Sequence, residues 1–244
     1  MLAYASSFLL LTALFLIPWE PGDRPGPVRL YLGLASAAMT ILYLAAGDPE
    51  RRVGARLRRP GPWQALLGLV LLPYCAGAWL LVRARAALGR ESPADEIVAG
   101  LFLGRHPLPG DRQRYQELRL NAVVDLCAEF PPSGRILGLA PSEQLSVPCL
   151  DGAAPSIQEL ESAVAWIEAR LGRGERLLVH CAAGHGRSAL VVACVLVAKG
   201  LANDAPGAQE LILVRRPRVG LNRHQRQQLH RFCELRSRVS SSAS

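Results

Sequence analysis

A cysteine and an arginine with five residues between them are the side chains in this sequence best placed for chemistry. They are Cys181 and Arg187, and they bound a loop with two glycines that follows an apolar stretch and precedes a helical pattern. A loop that leads into a helix turns several backbone N–H groups toward one point, and the helix dipole adds positive potential there. The spacing therefore predicts an anion site with a thiol beside it.

The chemistry predicted for this loop is the transfer of a phosphoryl group to sulfur. The planar fork of Arg187 can bind two phosphate oxygens, and the positive field favours the thiolate form of Cys181. A thiolate held under a phosphate can attack phosphorus, and the Ser188 hydroxyl can donate a hydrogen bond to the sulfur. The backbone N–H groups predicted to surround the phosphate belong to Ala182, Ala183, Gly184, His185, Gly186 and Arg187.

Three other interpretations of the loop are disfavoured by its residues. The first is that Cys181 is only a small buried apolar residue, as a cysteine at a strand end most often is; the Arg187 and Ser188 that follow it at this spacing argue against that. An ATP-binding loop needs a lysine before Ser188, where Arg187 stands. His180, Cys181 and His185 do not have the spacing of a zinc motif. The combined pattern therefore favours a phosphatase that needs no metal and no organic cofactor.

The stretch from His180 to Ser188 resembles the signature loop of cysteine-based protein tyrosine phosphatases of the dual-specificity branch. The similarity covers about residues 95–235, and within the branch the sequence is most similar to phosphatidylglycerophosphate phosphatase-like members. The further stretches that carry it are residues 99–104, 107–109, 216–219 and 219–222. The resemblance implies an α/β domain with a central sheet flanked by helices and the activity of a phosphoric monoester hydrolase.

The same resemblance implies a general acid in a loop upstream of the cysteine. Asp151 is the candidate, because it follows an apolar stretch, lies in a Gly/Pro loop and precedes a helix. Its alternative role is to begin an Asp-Gly turn. Asp125 is the other candidate acid, but its place inside an apolar strand favours a structural role. His180 and Asn222 are expected to support the signature loop, and His185 to face solvent or substrate.

Some polar residues near these motifs have two possible roles. Arg105 and Arg218 could contact a second acidic group of the substrate, but solvated side chains are the expectation for both. Cys127 or Cys149 could act as a resolving thiol for oxidised Cys181, although neither shows a pairing pattern.

The elements in front of this domain are apolar enough to be a membrane anchor. Three runs contain no charged side chain, residues 1–19, 30–47 and 60–82. A helix needs about 20 apolar residues to cross a bilayer. Residues 1–90 are therefore predicted to form three transmembrane helices, at about 2–18, 30–46 and 63–82. A signal peptide is the rival interpretation of the first run, but that run lacks a basic start and a small-residue cleavage site.

The charge distribution excludes some functions. The chain has 28 basic and 20 acidic residues, so the net charge is +8, and its mean hydropathy is +0.17. Residues 1–90 contribute +6 (10 against 4) and residues 91–244 contribute +2 (18 against 16). The excess lies beside the predicted spans, so no nucleic-acid partner is expected. The spans themselves carry no charge, which gives transport or proton relay no support.

Orientation in the membrane cannot be taken from the arginines. Five lie in residues 47–62, and five lie on the other side of the predicted spans, so the positive-inside rule gives no preference. A thiolate nucleophile persists best in a reducing compartment. The sequence therefore predicts an integral protein of the bacterial inner membrane whose catalytic domain is cytoplasmic.

The rest of the chain is predicted to form one α/β phosphatase domain over residues 91–238, with a polar linker at 83–95 before its first strand and a flexible tail at 239–244 after it. Strands are predicted at 97–103, 122–126, 145–150 and 176–181, and helices at 111–119, 156–171, 187–199, 206–216 and 223–238. Strands that alternate with helices are typical of α/β folds. Ser156 followed by Glu159 is the pattern of a capping box.

The predicted partners are the membrane and a phosphorylated lipid or protein. A domain held at the bilayer favours a phospholipid head group as substrate. The first alternative is a tyrosine or serine/threonine phosphatase that acts on membrane-associated proteins. The second is a catalytically silent module that binds phosphorylated ligands. The sequence leaves the oligomeric state open.

Overall fold

The computed structural model of the chain describes residues 1–20, 23–58, 61–62, 64–88 and 92–242. Its N-terminal part is helical, with α1 (Leu2–Leu16), α2 (Pro27–Ala45), α3 (Val53–Leu57) and α4 (Gln64–Ala87). Helices α1 and α2 pack against each other along their lengths, and α3 packs on a strand of the following domain. The N-terminal helices therefore contact the α/β domain.

The α/β domain is built on a mixed five-stranded sheet. Its strands are β1 (Ala94–Val98), β2 (Leu101–Arg105), β3 (Ala122–Cys127), β4 (Gln144–Cys149) and β5 (Leu177–Cys181). Their order is β1-β2-β5-β3-β4, with β1 antiparallel to β2 and the other pairs parallel. Because β5 is central and buried on both faces, it is apolar along nearly its whole length.

Helices cover both faces of the sheet, as the resemblance implied. They are α5 (Arg112–Glu117), α6 (Gly134–Leu137), α7 (Ile157–Leu171), α8 (Arg187–Ala198), α9 (Ala205–Arg215) and α10 (Arg223–Ser242). Side chains alternate along the strands, so Leu177 and Val179 enter the large core beneath α7 to α10. Leu178 enters the smaller core, which Tyr115 of α5 completes.

Three predicted boundaries differ from the structure. The single strand predicted at 97–103 is a hairpin of β1 and β2, because the chain reverses at Gly100, whose φ of +78° favours glycine. The linker predicted at 83–95 is shorter, since α4 continues to Ala87 and β1 begins at Ala94. Helix α10 is assigned to Ser242, beyond the predicted end at 238, and the last two residues of the predicted tail lie outside the described residues.

Among the described helices, two are long and apolar enough by length and composition to cross a membrane. They are Pro27–Ala45 and Ala65–Ala87, and the second is the less buried of the two. Helix α1 has 15 residues and is shorter than that. The span predicted at about 2–18 therefore stays a prediction. Trp63, where one span was predicted to begin, lies outside the described residues, as do Arg59 and Arg90 of the charge comparison.

Candidate active site

The thiol of Cys181 lies at the end of β5, almost fully buried, where the chain turns into the loop before α8. Its sulfur accepts a hydrogen bond from the Ser188 hydroxyl at 3.2 Å. The backbone N–H of Gly184 donates to the same sulfur at 3.3 Å. Two hydrogen-bond donors therefore point at this one sulfur, in the arrangement that the sequence predicted for Ser188 and the loop.

The loop carbonyls at either end are turned away from this sulfur. The oxygen of Ala182 accepts from the backbone N–H of His106 at 3.1 Å, and that of His185 accepts from the N–H of Gly220 at 3.1 Å. In a trans peptide the N–H points opposite to the C=O. Outward carbonyls therefore leave the N–H groups of the next residues facing the interior of the loop, as a phosphate nest requires.

Arg216 holds the middle of the same loop. This buried guanidinium donates to the carbonyl of Gly184 at 3.0 Å and to that of Ala183 at 3.3 Å. It is tied to β1 through Asp95, at 2.6 Å. Gly184 itself has φ of +76°, and a Cβ there would collide with the Gly104 backbone. The loop is thus fixed by side-chain contacts and by a position that only glycine fits.

Arg187 lies in the first turn of α8 and is held by two carboxylates. Its guanidinium makes a two-pronged contact with Glu129, at 2.6 and 2.9 Å, and donates to the Cys149 carbonyl at 2.7 Å. One terminal nitrogen of the guanidinium, Nη2, lies 3.2 Å from Oδ1 of Asp151. Its Nε–H is buried without a hydrogen-bond partner among the described residues, so a phosphate oxygen in the loop would satisfy it.

Burial alone would lower the pKa of Arg187, but the Glu129 carboxylate outweighs burial and holds this pKa well above its ordinary value. The Glu129 and Arg187 side chains are each only 1% exposed. The sequence reasoning missed Glu129. Its signal was available, because Glu129 follows the end of β3, and the carboxyl ends of adjacent parallel strands meet at one edge of the sheet.

Asp151 lies in the loop between β4 and α7, with its side chain about half exposed. One of its oxygens is close to Arg187, and the other accepts a hydrogen bond from the Tyr4 hydroxyl of α1 at 3.4 Å. Asp125 is placed differently. Its carboxylate accepts from the Cys127 N–H in its own strand at 2.9 Å, a local contact of the structural kind expected for it.

His180 is fully buried beside the loop. Its Nε2 lies 2.7 Å from the Ser133 hydroxyl, and its Nδ1 lies 3.4 Å from the Cys181 carbonyl. Burial lowers the pKa of His180 to about 3 and that of the neighbouring His106 to about 3. Both rings are therefore neutral at physiological pH. A neutral ring has no extra proton to give, so His180 does not act as a general acid, and its contacts fit a supporting position.

One group of side chains could hold a metal ion. Ligand atoms of His106, Cys127 and His180 lie within 4.8 Å of one another. However, Ser133 already contacts Nε2 of His180. Burial, the largest cause, raises the pKa of Cys127 well above its ordinary value, which disfavours the thiolate that a metal needs.

Asn222 was expected to support the signature loop, but it contacts the loop of the predicted acid instead. Its side-chain amide donates to the Gly152 carbonyl at 2.7 Å. Gln225, which the sequence reasoning did not assign a role, donates to the next carbonyl, that of Ala153, at 3.1 Å. The start of α10 therefore fixes the backbone beside Asp151.

The structure also gives positions for the two arginines and two cysteines that the sequence left with alternative roles. Arg105 was expected to be solvated, but it is buried and binds both oxygens of Asp111, at 2.7 and 2.8 Å. Arg218 lines a cavity beside the loop. Burial raises the pKa of the thiols of Cys127 and Cys149, so both favour the unreactive thiol form. That argues against the resolving role considered for them.

The mouth of the site is bordered by the apolar N-terminal helices. Tyr4 of α1 lies against Asp151 and Gly152. Helix α4 runs beside the site. In its first half, Leu71 lines a cavity of about 520 Å³ together with Glu129. Further along the helix, Leu81 lines another cavity, of about 530 Å³, with the signature loop.

This geometry places a thiol, an arginine and an acid around an anion nest at the end of a parallel strand. The sequence model of the family described as Swiss Army Knife protein, DSP-PTPase phosphatase domain, matches residues 105–234, which is more than half of the chain. The chain therefore belongs to this family of cysteine-based phosphatases. The resemblance predicted from the signature loop is confirmed, and the family is one of phosphoric monoester hydrolases.

Curated relatives agree with this assignment. The chain is 34% identical over 152 residues to phosphatidylglycerophosphate phosphatase PTPMT2 of Arabidopsis thaliana, covering 61% of this chain and 66% of the relative. It is 30% identical over 135 residues to phosphatidylglycerophosphate phosphatase PTPMT1 of the same plant, covering 51% and 38%. The chain thus spans less than two thirds of each relative.

Solved structures share the fold. The structure of Tk-PTP in its active form is 28% identical, with a TM-score of 0.52, and covers 58% of this chain and 97% of its own. PTPMT1 in complex with PI(5)P is 21% identical, with a TM-score of 0.54, and covers 63% and 100%. At this identity the second similarity concerns the fold alone.

Proposed function

We propose that this protein is a membrane-anchored, cysteine-dependent phosphatase that hydrolyses a phosphate monoester in a phospholipid head group. The observation that carries the proposal is the setting of the site. A buried thiol and arginine lie in an anion nest whose mouth is bordered by the apolar helices α1 and α4. A lipid in the bilayer can reach such a site more readily than the surface of a folded protein.

The reaction takes two steps. In the first, the thiolate of Cys181 attacks phosphorus, a sulfur–phosphorus bond forms, and Asp151 gives its proton to the departing alcohol oxygen. In the second, Asp151 removes a proton from water, which attacks the phosphocysteine and releases inorganic phosphate and the thiolate. Ser188 stabilises the sulfur as it leaves, through its 3.2 Å hydrogen bond.

Charge on the phosphoryl group is stabilised by groups already in place before the reaction. The outward carbonyls leave the N–H groups of residues 183–186 facing the phosphate, and Arg187 supplies its buried Nε–H. Preorganised donors of this kind are usually the largest contribution to catalysis. The reaction as proposed uses neither a metal nor an organic cofactor.

The proposed anchor consists of the helices before the α/β domain. Helices α2 and α4 have the length and composition of spans. Helix α1, with 15 residues, is about 22 Å long, against about 30 Å of bilayer hydrocarbon. Because α3 packs on β4 and Arg58 donates to the Ser146 hydroxyl at 2.9 Å, α3 and the phosphatase domain lie on one side of the membrane, and α4, which joins them, is proposed to lie at its surface rather than to cross it. We place the anchor in the bacterial inner membrane and the phosphatase domain in the cytoplasm, where a thiolate stays reduced.

The experiment is phosphate release by full-length protein in detergent micelles, with Cys181→Ser as control. The substrates are phosphatidylglycerophosphate, phosphatidic acid, phosphoinositides, and phosphotyrosine and phosphothreonine peptides. Preference for a lipid supports the proposal. Preference for peptides would replace it with a protein phosphatase on membrane-associated partners. Release equal in the wild type and the Cys181→Ser control, or none from any substrate, would favour the silent binding module.

A further inference from the structure

A cavity of about 530 Å³ lies between the second half of α4 and the signature loop. Its loop side includes Ala182 and Ala183, which directly follow the nucleophile Cys181. The cavity therefore adjoins the signature loop that is proposed to bind the phosphate.

The helix side of the cavity combines hydrocarbon with positive charge. Leu81, Arg85 and Leu88 line it. The spacing of four residues puts Leu81 and Arg85 on one face of α4, and Leu88 follows directly after its end. All three side chains are exposed in the structure. An arginine flanked by leucines suits a ligand that has an anionic group close to an alkyl chain.

The other wall is also basic, because Arg218 and His185 of the α/β domain line the same cavity. Helix α4 lies outside residues 105–234, the part matched by the family. The phosphatase domain alone therefore does not form this cavity. It exists because the N-terminal helices lie against that domain.

We infer that this cavity is the subsite for the glycerol, the phosphodiester and the first acyl carbons of a diacyl phospholipid whose scissile phosphate is bound in the loop. Arg85 binds the phosphodiester, and Leu81 and Leu88 contact the acyl carbons. This inference rests on the proposed lipid phosphatase function. It adds that the anchor helix selects lipids carrying a second phosphate.

The test compares two variants of α4 with matched controls in the full-length protein. Arg85→Gln removes the charge, and its control is Arg83→Gln, whose arginine stacks on Trp79 on the same helix. Ala84→Trp fills the cavity, because Ala84 lines it, and its control is Ala87→Trp. The substrates are phosphatidylglycerophosphate, phosphatidic acid, which lacks the phosphodiester, and p-nitrophenyl phosphate, which lacks the lipid.

For Arg85→Gln we expect kcat/KM with phosphatidylglycerophosphate to fall about tenfold relative to that with p-nitrophenyl phosphate, mainly through KM. The fall with phosphatidic acid should be about threefold or less on the same scale. For Ala84→Trp both lipids should lose about tenfold or more relative to p-nitrophenyl phosphate. Arg83→Gln and Ala87→Trp should behave as the wild type.

Two outcomes would overturn the inference in distinguishable ways. If the wild type hydrolyses p-nitrophenyl phosphate and peptides but no lipid, the proposed lipid function is wrong and the subsite falls with it. If the wild type hydrolyses phosphatidylglycerophosphate and the Arg85 and Ala84 variants match their controls on every substrate, the lipid function stands and only the subsite is wrong.

Discussion

Glu129 is the strongest test of how the active site is held together. Its carboxylate binds both terminal nitrogens of Arg187, at 2.6 and 2.9 Å, with both side chains 1% exposed. Glu129→Ala removes the main countercharge of a guanidinium that cannot reach water. We expect the arginine to lose its fixed position and, with it, its ability to bind phosphate oxygens.

The size of the effect follows from these contacts. Breaking a buried ion pair by removing one partner costs about 3–5 kcal/mol of folding free energy. Arg187 keeps its hydrogen bond to the Cys149 carbonyl and its contact with Asp151, so we expect a cost of about 3 kcal/mol, at the lower end of this range. Loss of one preorganised donor typically lowers catalysis about 10²- to 10³-fold. Glu129→Gln keeps one acceptor oxygen and should lose about tenfold.

The assay is hydrolysis of p-nitrophenyl phosphate, with inhibition by inorganic phosphate measured in parallel. Glu129→Ala should lower kcat/KM about 100-fold and weaken phosphate inhibition, because Arg187 serves both. Glu161→Gln, an exposed acid on α7, is the control. Two results would refute the reasoning: unchanged kcat/KM beside reduced stability, or tighter phosphate inhibition, which would mean that Glu129 competes with phosphate for the arginine.

Three further outcomes are expected. Asp151→Asn should lower kcat about 100-fold with an alkyl phosphate and much less with p-nitrophenyl phosphate, whose leaving group needs little protonation; equal losses would contradict the acid role. Ser188→Ala should slow breakdown of the phosphocysteine, so radiolabelled enzyme should accumulate in acid-quenched samples, and its absence would argue against stabilisation of the leaving sulfur. His106→Gln should flatten the acid dependence of stability. Burial lowers the pKa of His106 from 6.5 to about 3, so below pH 6.5 the unfolded chain binds a proton that the folded chain does not bind until about pH 3. The free energy of unfolding therefore decreases as the pH falls, by up to about 1.4 kcal/mol per pH unit for this residue. Denaturant titrations between pH 6 and pH 4.5 would show the smaller slope of the variant, and an unchanged slope would contradict this account.

The signature loop was predictable because its signal is local. The apolar strand, the Cys181 to Arg187 spacing and the helix after it are contiguous, and the anion nest depends on backbone geometry that such a sequence favours. The capping box at Ser156 was predictable for the same reason, and it forms as expected. The strand boundaries near Gly100 were harder to predict, because a single glycine decides whether this segment is one long strand or a hairpin of two strands.

Residues that act on the loop from a distance were not predictable in this way. Arg216 lies 32 positions after Gly184, whose carbonyl it binds, and Glu129 lies 58 positions before Arg187. The role of each depends on which strands and helices become neighbours. Asn222 shows the same limit, since its sequence context resembled that of a residue supporting the signature loop, whereas the fold brings it to Gly152.

The arrangement of charge around Arg187 suggests how binding and proton transfer are linked. Glu129 contacts the arginine from a buried position, whereas Asp151 does so from the loop between β4 and α7, with its side chain half exposed. A phosphate dianion entering the nest competes with Asp151 for the guanidinium, because both are anions seeking the same donors. Glu129 keeps its own two hydrogen bonds and preserves the position of Arg187. In the proposed mechanism Asp151, displaced by the phosphate, moves toward the ester oxygen that needs its proton.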